Sequence, residues 1–132
     1  MHLADLLGKG PVVVYFYPKD ETAGCTAEAC AFRDAYEDFG SAGAQVVGIS
    51  RDDAESHRRF AAHHRLPFLL LSDPTGEVHD RYGVASHLGG ILRDRVTFVL
   101  DREGVVRHVF SSAVRMRAHV DESLAIVRQL AR

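Results

Sequence analysis

The sequence predicts an α/β fold, a mixed five-stranded sheet with helices on both faces, and three observations carry that expectation. Val12-Val13-Val14-Tyr15-Phe16-Tyr17 and Gln45-Val46-Val47-Gly48-Ile49-Ser50 are apolar-rich runs without regular polar alternation, the pattern of strands buried on both faces of a largely parallel sheet. Amphipathic stretches follow each of them, and right-handed β-α-β connections then make the early strands parallel. Nearer the C-terminus, two further strand-like runs flank Asp101-Arg102-Glu103-Gly104, a hairpin that adds an antiparallel pair.

The elements follow in order. After the first strand, Cys25, Ala29, Phe32, Tyr36 and Phe39 recur at intervals of four and three, an apolar stripe on a helix that ends at Gly40. The second strand is entered through Gly43. Asp52 or Asp53 caps the next helix, which carries Phe60, Ala61 and His64 and stops before Pro67. Phe68-Leu69-Leu70-Leu71 reads as a short third strand, closed by the turn Asp73-Pro74-Thr75-Gly76. Glu77 to Tyr82 fits one helical turn ending at Gly83, while Ala85 to Asp94, with Gly89-Gly90 and no periodicity, reads as a loop. Arg95 to Leu100 and Val105 to Phe110 are the hairpin strands. Val120, Leu124, Val127 and Ala131 give the last helix an apolar side, with no clear cap at its start.

Length and composition exclude several classes. At 132 residues and 46% hydrophobic, the chain can bury one full core, so a single domain over residues 1–132 is expected. A net charge of −2 with mixed charge patterning gives no electrostatic case for nucleic acid or an anionic membrane. No stretch is apolar for long enough to span a bilayer, and Met1-His2-Leu3-Ala4-Asp5-Leu6-Leu7 lacks the apolar core of a signal peptide, so a cytoplasmic location is expected. In that setting two cysteines are reactive groups rather than a structural staple.

Both cysteines lie in one corner, Tyr17-Pro18-Lys19-Asp20-Glu21-Thr22-Ala23-Gly24-Cys25-Thr26-Ala27-Glu28-Ala29-Cys30. Cys25 falls in the first turn of the helix, on its sheet-facing stripe. The amides and dipole there favour an anion, and cysteine pKa values fall from about 8.5 to roughly 3.5–7.5 at such helix starts, which makes Cys25 a candidate thiolate. Cys30 is five positions on. Five residues advance a helix by about 7.5 Å and turn it by about 140°, so the two Cα atoms stand roughly 8.6 Å apart. A disulfide needs them within about 7 Å, so the pair cannot close on an intact helix, whereas C-x-x-C spacing, at about 5 Å, can. If the two work together, the helix must locally unwind.

The run Tyr17-Pro18, Thr22-Ala23-Gly24-Cys25 and Cys30 resembles the P-x-x-x-T-x-x-C active site of peroxiredoxins. It is most similar to the peroxiredoxin Q or bacterioferritin comigratory protein subfamily, whose resolving cysteine lies in the same helix. The likeness continues through Gly48-Ile49-Ser50-Arg51-Asp52, Leu66-Pro67-Phe68, Leu71-Ser72-Asp73-Pro74, Tyr82-Gly83-Val84 and Arg95-Val96-Thr97-Phe98. Two departures stand out: Ala23 occupies a usual proline position, and the N-terminal hairpin segment common in the family is not matched ahead of Leu3-Ala4-Asp5-Leu6. The second leads us to expect an uncovered apolar patch, with lower stability or self-association.

The resemblance implies a thioredoxin-like fold and a thiol-dependent peroxidase acting on hydrogen peroxide and organic hydroperoxides. Cys25 would form a sulfenic acid, Cys30 would condense with it to an intramolecular disulfide, and thioredoxin would regenerate the dithiol. It further implies that Thr22 bonds the thiolate and the peroxide, that Pro18 shields the thiolate from water, and that Arg95 is a fixed cation beside Cys25. Each residue also has a plainer reading. Cys25 could pack as a small core hydrophobe, Thr22 could be only a helix N-cap, Pro18 a loop former, and Arg95 a surface arginine paired with Asp94 or Glu103.

Eight histidines raise the question of a metal, and the sequence argues against one. His63 and His64 are adjacent and cannot share a helix face, and His57 and His64 have no nearby cysteine or paired carboxylates. Gly89-Gly90 lacks the strand-to-helix setting of a phosphate loop, so no nucleotide, metal or other cofactor is expected. The expected partners are a peroxide and a dithiol reductant, with the chain a monomer or weak dimer. Two other classes stay open: a protein dithiol/disulfide oxidoreductase, and a non-enzymatic redox sensor in which a reversible Cys25–Cys30 bond changes shape for a partner.

Overall fold

The structure of the protein, a computed structural model, describes residues 8–83, 86–87, 92–93, 95–112 and 115–130. The chain runs β1 (Val12–Phe16), α1 (Ala23–Asp34), α2 (Tyr36–Ser41), β2 (Gln45–Ser50), α3 (Ala54–His64), β3 (Leu69–Ser72), α4 (Glu77–Arg81), β4 (Ser86–His87), β5 (Leu92–Arg93), β6 (Val96–Leu100), β7 (Val106–Ser111) and α5 (Met116–Leu130). Five strands form one mixed sheet in the order β3-β2-β1-β6-β7, with β1, β2 and β3 parallel and β6 and β7 antiparallel to their neighbours.

The central strand β1 is buried along its whole length, and its pleat sorts side chains onto two faces. Val13, Tyr15 and Tyr17 point into one cluster with Cys25, Ala29, Phe32, Phe39, Phe60, Val120 and Val127, so α1, α2, α3 and α5 share that face. Val12, Val14 and Phe16 point the other way, into a cluster with Val47, Ile49, Val96, Phe98 and Leu100, against which Val78 of α4 and Tyr82 pack. The steps from β1 to β2 and from β2 to β3 go in one direction across the sheet, so right-handed crossovers put α1, α2 and α3 on the same side. Tyr15 stacks on Phe32 with ring centroids 4.6 Å apart. Its neighbour in register is Gly48, where a Cβ would come within 2.9 Å of both Tyr15 Cζ and Leu70 Cδ2, so glycine is what lets the tyrosine ring lie against the sheet.

Several expectations need correcting. The first helix is not continuous to Gly40. It ends at Asp34, and Ala35 takes φ −97° and ψ 4° before α2 begins at Tyr36 and runs to Ser41. The hydrogen-bond ladder carries across the bend from the Phe39 amide to the Ala35 carbonyl, so the apolar stripe stays on the sheet although the helix is broken. Within the stretch expected as a loop, Ser86–His87 pairs antiparallel with Leu92–Arg93, a two-residue ladder too short to leave a periodic signature. Gly89-Gly90 and Leu3-Ala4-Asp5-Leu6 lie outside the described residues. Of the two aspartates offered as a cap, Asp53 is the one, its carboxylate accepting from the Ser56 amide at 2.8 Å. Ahead of α5, Ser112 Oγ accepts from the Arg115 amide.

Candidate active site

The corner after β1 is held from below. The Tyr17 amide still bonds the Ile49 carbonyl, and then the chain leaves the sheet. Asp20, buried, fastens the loop: its Oδ1 accepts from the Tyr17 hydroxyl at 2.6 Å, and its Oδ2 accepts from Ser56 Oγ at 2.8 Å and lies 2.7 Å from His57 Nδ1. The Asp20 amide in turn donates to Asp52 Oδ2, which also accepts from Ser50 Oγ. Burial works against the Asp20 charge, but the bonds from His57, Tyr17 and Ser56 outweigh it and hold the carboxyl below its ordinary range. Loop, β2 and the start of α3 are thereby one hydrogen-bonded block.

Thr22 opens α1 as its N-cap residue, with extended φ −80° and ψ 154°, and its carbonyl accepts from the Thr26 amide. Its side chain does not take the capping bond. The hydroxyl instead donates to the Lys19 carbonyl at 2.8 Å, closing the loop on itself. Pro18 is half-buried in the same loop. Cys25, one turn in, is buried, and Cys30 is partly so; both are free thiols on the unbroken α1.

Arg95, at the mouth of β6, crosses to the start of α1. Its Nη1 donates to Cys25 Sγ at 3.5 Å and to Glu28 Oε1 at 2.8 Å, with all three side chains buried. Gly24 makes room for it, since a Cβ there would stand 3.0 Å from Arg95 Nη2 and 3.0 Å from Met116 Cε. Behind the pair lies His119 of α5. Its Nε2 sits 2.9 Å from the Ser112 carbonyl, which can only accept, so Nε2 carries the proton and Nδ1 receives the Thr97 hydroxyl at 2.7 Å. Burial pushes the pKa of this imidazole down, and the nearby Arg95 charge pushes the same way. Among the described residues Glu28 Oε2 has no hydrogen-bond partner, and it faces His119 Nδ1 at 3.6 Å. Burial pushes the Glu28 carboxyl up to about 7, against the pull of Arg95. A fixed cation beside a thiol at a helix start can stabilise negative charge developing on an oxygen next to it.

The sequence matches the AhpC/TSA family over residues 1–109. This chain belongs to that family. Within it the relatives are peroxiredoxins of the Q type: the chain is 53% identical over 128 residues to the chloroplastic peroxiredoxin Q of Sedum lineare, covering 97% of this chain and 68% of that protein. It is 52% identical to the Triticum aestivum peroxiredoxin Q, of which it spans 58%. Its fold is similar to that of peroxidoxin BcpB from Mycobacterium tuberculosis, with TM-score 0.90 and 44% identity over 96% of this chain and 84% of that one. A further likeness, with TM-score 0.88 and 31% identity over 100% of this chain and 86% of that one, is to the bacterioferritin comigratory protein of Xanthomonas campestris, described for its alkyl peroxide reduction activity. The thioredoxin-like α/β fold expected from the sequence is the one this peroxiredoxin has.

The structure brings Cys25 and Arg95 together and sets Pro18 and Thr22 in the loop before them. Among the described residues the ion pair of Arg95 is with Glu28 and not with Glu103, one of the two partners its plainer reading named; Asp94, the other, lies outside the described residues. Glu28 and His119 were not singled out in the sequence, although a charged residue three positions after Cys25, on the apolar stripe, was a signal. The reading of the histidines also needs correction. His57 is bonded to Asp20, and the adjacent His63 and His64, at the last turn of α3, converge on one carboxylate, that of Glu21. A cleft of about 540 Å³ lined by Lys9, Gly10, Pro11, Asp101 and Arg107 lies at the opposite end of the sheet and touches none of this chemistry.

Proposed function

We propose that this peroxiredoxin reduces hydrogen peroxide and organic hydroperoxides through Cys25. The observation that carries the reading is Arg95 Nη1 poised between Cys25 Sγ and Glu28 Oε1 at the start of α1. The Cys25 thiolate attacks one peroxide oxygen, the O–O bond breaks, and the leaving oxygen departs as water or an alcohol after taking a proton. Arg95 stabilises the negative charge on the oxygens in flight, and Pro18 and the Thr22 loop limit water and orient the peroxide. Cys25 is left as a sulfenic acid. The Cys30 thiolate then attacks the Cys25 sulfur and expels hydroxide, giving an intramolecular disulfide that an external dithiol, thioredoxin by family likeness, reduces. Both sulfurs lie on one chain, so the cycle needs no second copy. The alkyl peroxide reduction described for the Xanthomonas campestris relative supports the substrate class.

Steady-state peroxide consumption with a thioredoxin system tests this. Turnover of hydrogen peroxide and an alkyl hydroperoxide that is abolished in Cys25→Ser is expected. Disulfide exchange on protein substrates without peroxide consumption would instead support an oxidoreductase, and neither activity a redox sensor.

A further inference from the structure

Glu21 stands between Asp20, bolted to the start of α3, and Thr22, which opens α1. Its backbone is left-handed, with φ 63°, a conformation uncommon for a residue with a side chain, and it turns the carboxylate toward the far end of α3. There Glu21 Oε2 lies 2.9 Å from His63 Nδ1, and Oε1 lies 2.8 Å from His64 Nε2. The two imidazoles lie with centroids 4.1 Å apart and their planes tilted by 36°, and the three donor atoms all lie within 4.8 Å of one another. Ligands on a tetrahedral zinc ion, at about 2.0–2.1 Å, are separated by about 3.4 Å, so the donors need shift little to hold one. Two nitrogens and one carboxylate oxygen are a donor set for zinc or a similar transition ion rather than magnesium or calcium. His63 and Glu21 are 64% and 48% exposed, which leaves an open side for entry and for a water as fourth ligand.

We propose that Glu21, His63 and His64 form a site for a divalent transition ion of the Zn²⁺ type, which fastens the loop before α1 to the end of α3. The consequence for activity rests on the disulfide cycle proposed above; the site itself does not. Joining Cys25 to Cys30 requires the first turns of α1 to move, and an ion that clamps residue 21 holds the chain that leads into them. Bound metal therefore slows turnover reversibly.

Binding is read on the full chain carrying Cys25→Ser and Cys30→Ser, so that no thiol competes, by titrating Zn²⁺ against a chromogenic chelator at pH about 7.5, where histidine is mostly neutral. One ion per chain is expected, weakened about tenfold or more by His63→Ala and likewise by Glu21→Gln, since each removes one of three ligands. Absence of saturable binding, or equal affinity in all three proteins, overturns the site. For the consequence, both cysteines are kept. Zn²⁺ should lower the turnover of the wild-type chain and spare His63→Ala, each read against its own metal-free rate. Equal inhibition of both would place the effect on the thiols and overturn the clamp. A wild-type chain inactive without metal would instead contradict the peroxidase reading and leave the binding result standing.

Discussion

Arg95 forms a buried ion pair with Glu28, 2.8 Å between Nη1 and Oε1, and the same nitrogen lies 3.5 Å from the sulfur of Cys25. One guanidinium is thus shared between a thiol and an acid sealed inside the fold. Removing one partner of such a pair strands the other in a dry interior.

Arg95→Ala should therefore lose both function and stability. On the proposed mechanism, loss of a charge-stabilising donor beside Cys25 predicts a fall in the peroxide reaction of roughly 10²–10³-fold, and an unpaired buried Glu28 predicts a loss of about 3–5 kcal/mol. Stopped-flow peroxide kinetics and urea unfolding measure the two separately. Arg95→Lys, which keeps the charge without the fork, should recover more of the stability than of the rate.

The carboxyl of Glu28 also predicts a pH dependence. Burial raises it to about 7 in the folded state from 4.5, so the fold holds that proton more tightly than the unfolded chain does. The associated stability is complete below pH about 4.5 and is lost as pH rises through about 7. Against Glu28→Gln, which cannot titrate, the wild-type chain should lose on the order of 3 kcal/mol across that window. Asp20 and Asp73, held below their ordinary range, act in the opposite sense in both proteins and cancel in the difference. Parallel stability curves for the two would contradict this account.

The fold was legible where the signal is local. The unbroken run at β1 announced a central strand, and the spacing of Cys25, Ala29, Phe32 and Phe39 marked the face that packs on it. What depends on distant partners was not. Arg95 was placed correctly at the mouth of β6, but its partner lies 67 positions away in the chain and was sought among its neighbours. The break at Ala35 leaves the apolar spacing intact and so left no trace in it. Adjacent histidines look divergent on a helical wheel, yet at the last turn of α3, before the left-handed Arg65, long side chains can fold together onto one carboxylate. Glu28 alone was within reach, as an acid on an apolar stripe.

Both cysteines lie on α1, which runs unbroken from Ala23 to Asp34, so the disulfide proposed between them requires local melting. Opening a turn removes several backbone hydrogen bonds worth about 0.5–1.5 kcal/mol each. Hydrogen exchange should show the amides from Thr26 to Arg33 less protected in the oxidised chain than in the reduced one. Equal protection in both would leave Cys30 a bystander and require an external thiol to resolve Cys25.

The assignment of roles to the two sulfurs is tested most directly by mass spectrometry of the single-cysteine variants after one equivalent of peroxide, with a sulfenic-acid trap present. Cys30→Ser should consume that equivalent and carry the trapped adduct on Cys25, while Cys25→Ser should leave the peroxide intact and Cys30 unmodified. Rapid peroxide consumption by Cys25→Ser, or an adduct on Cys30 in that variant at the wild-type rate, would contradict the placement of the reaction at Cys25.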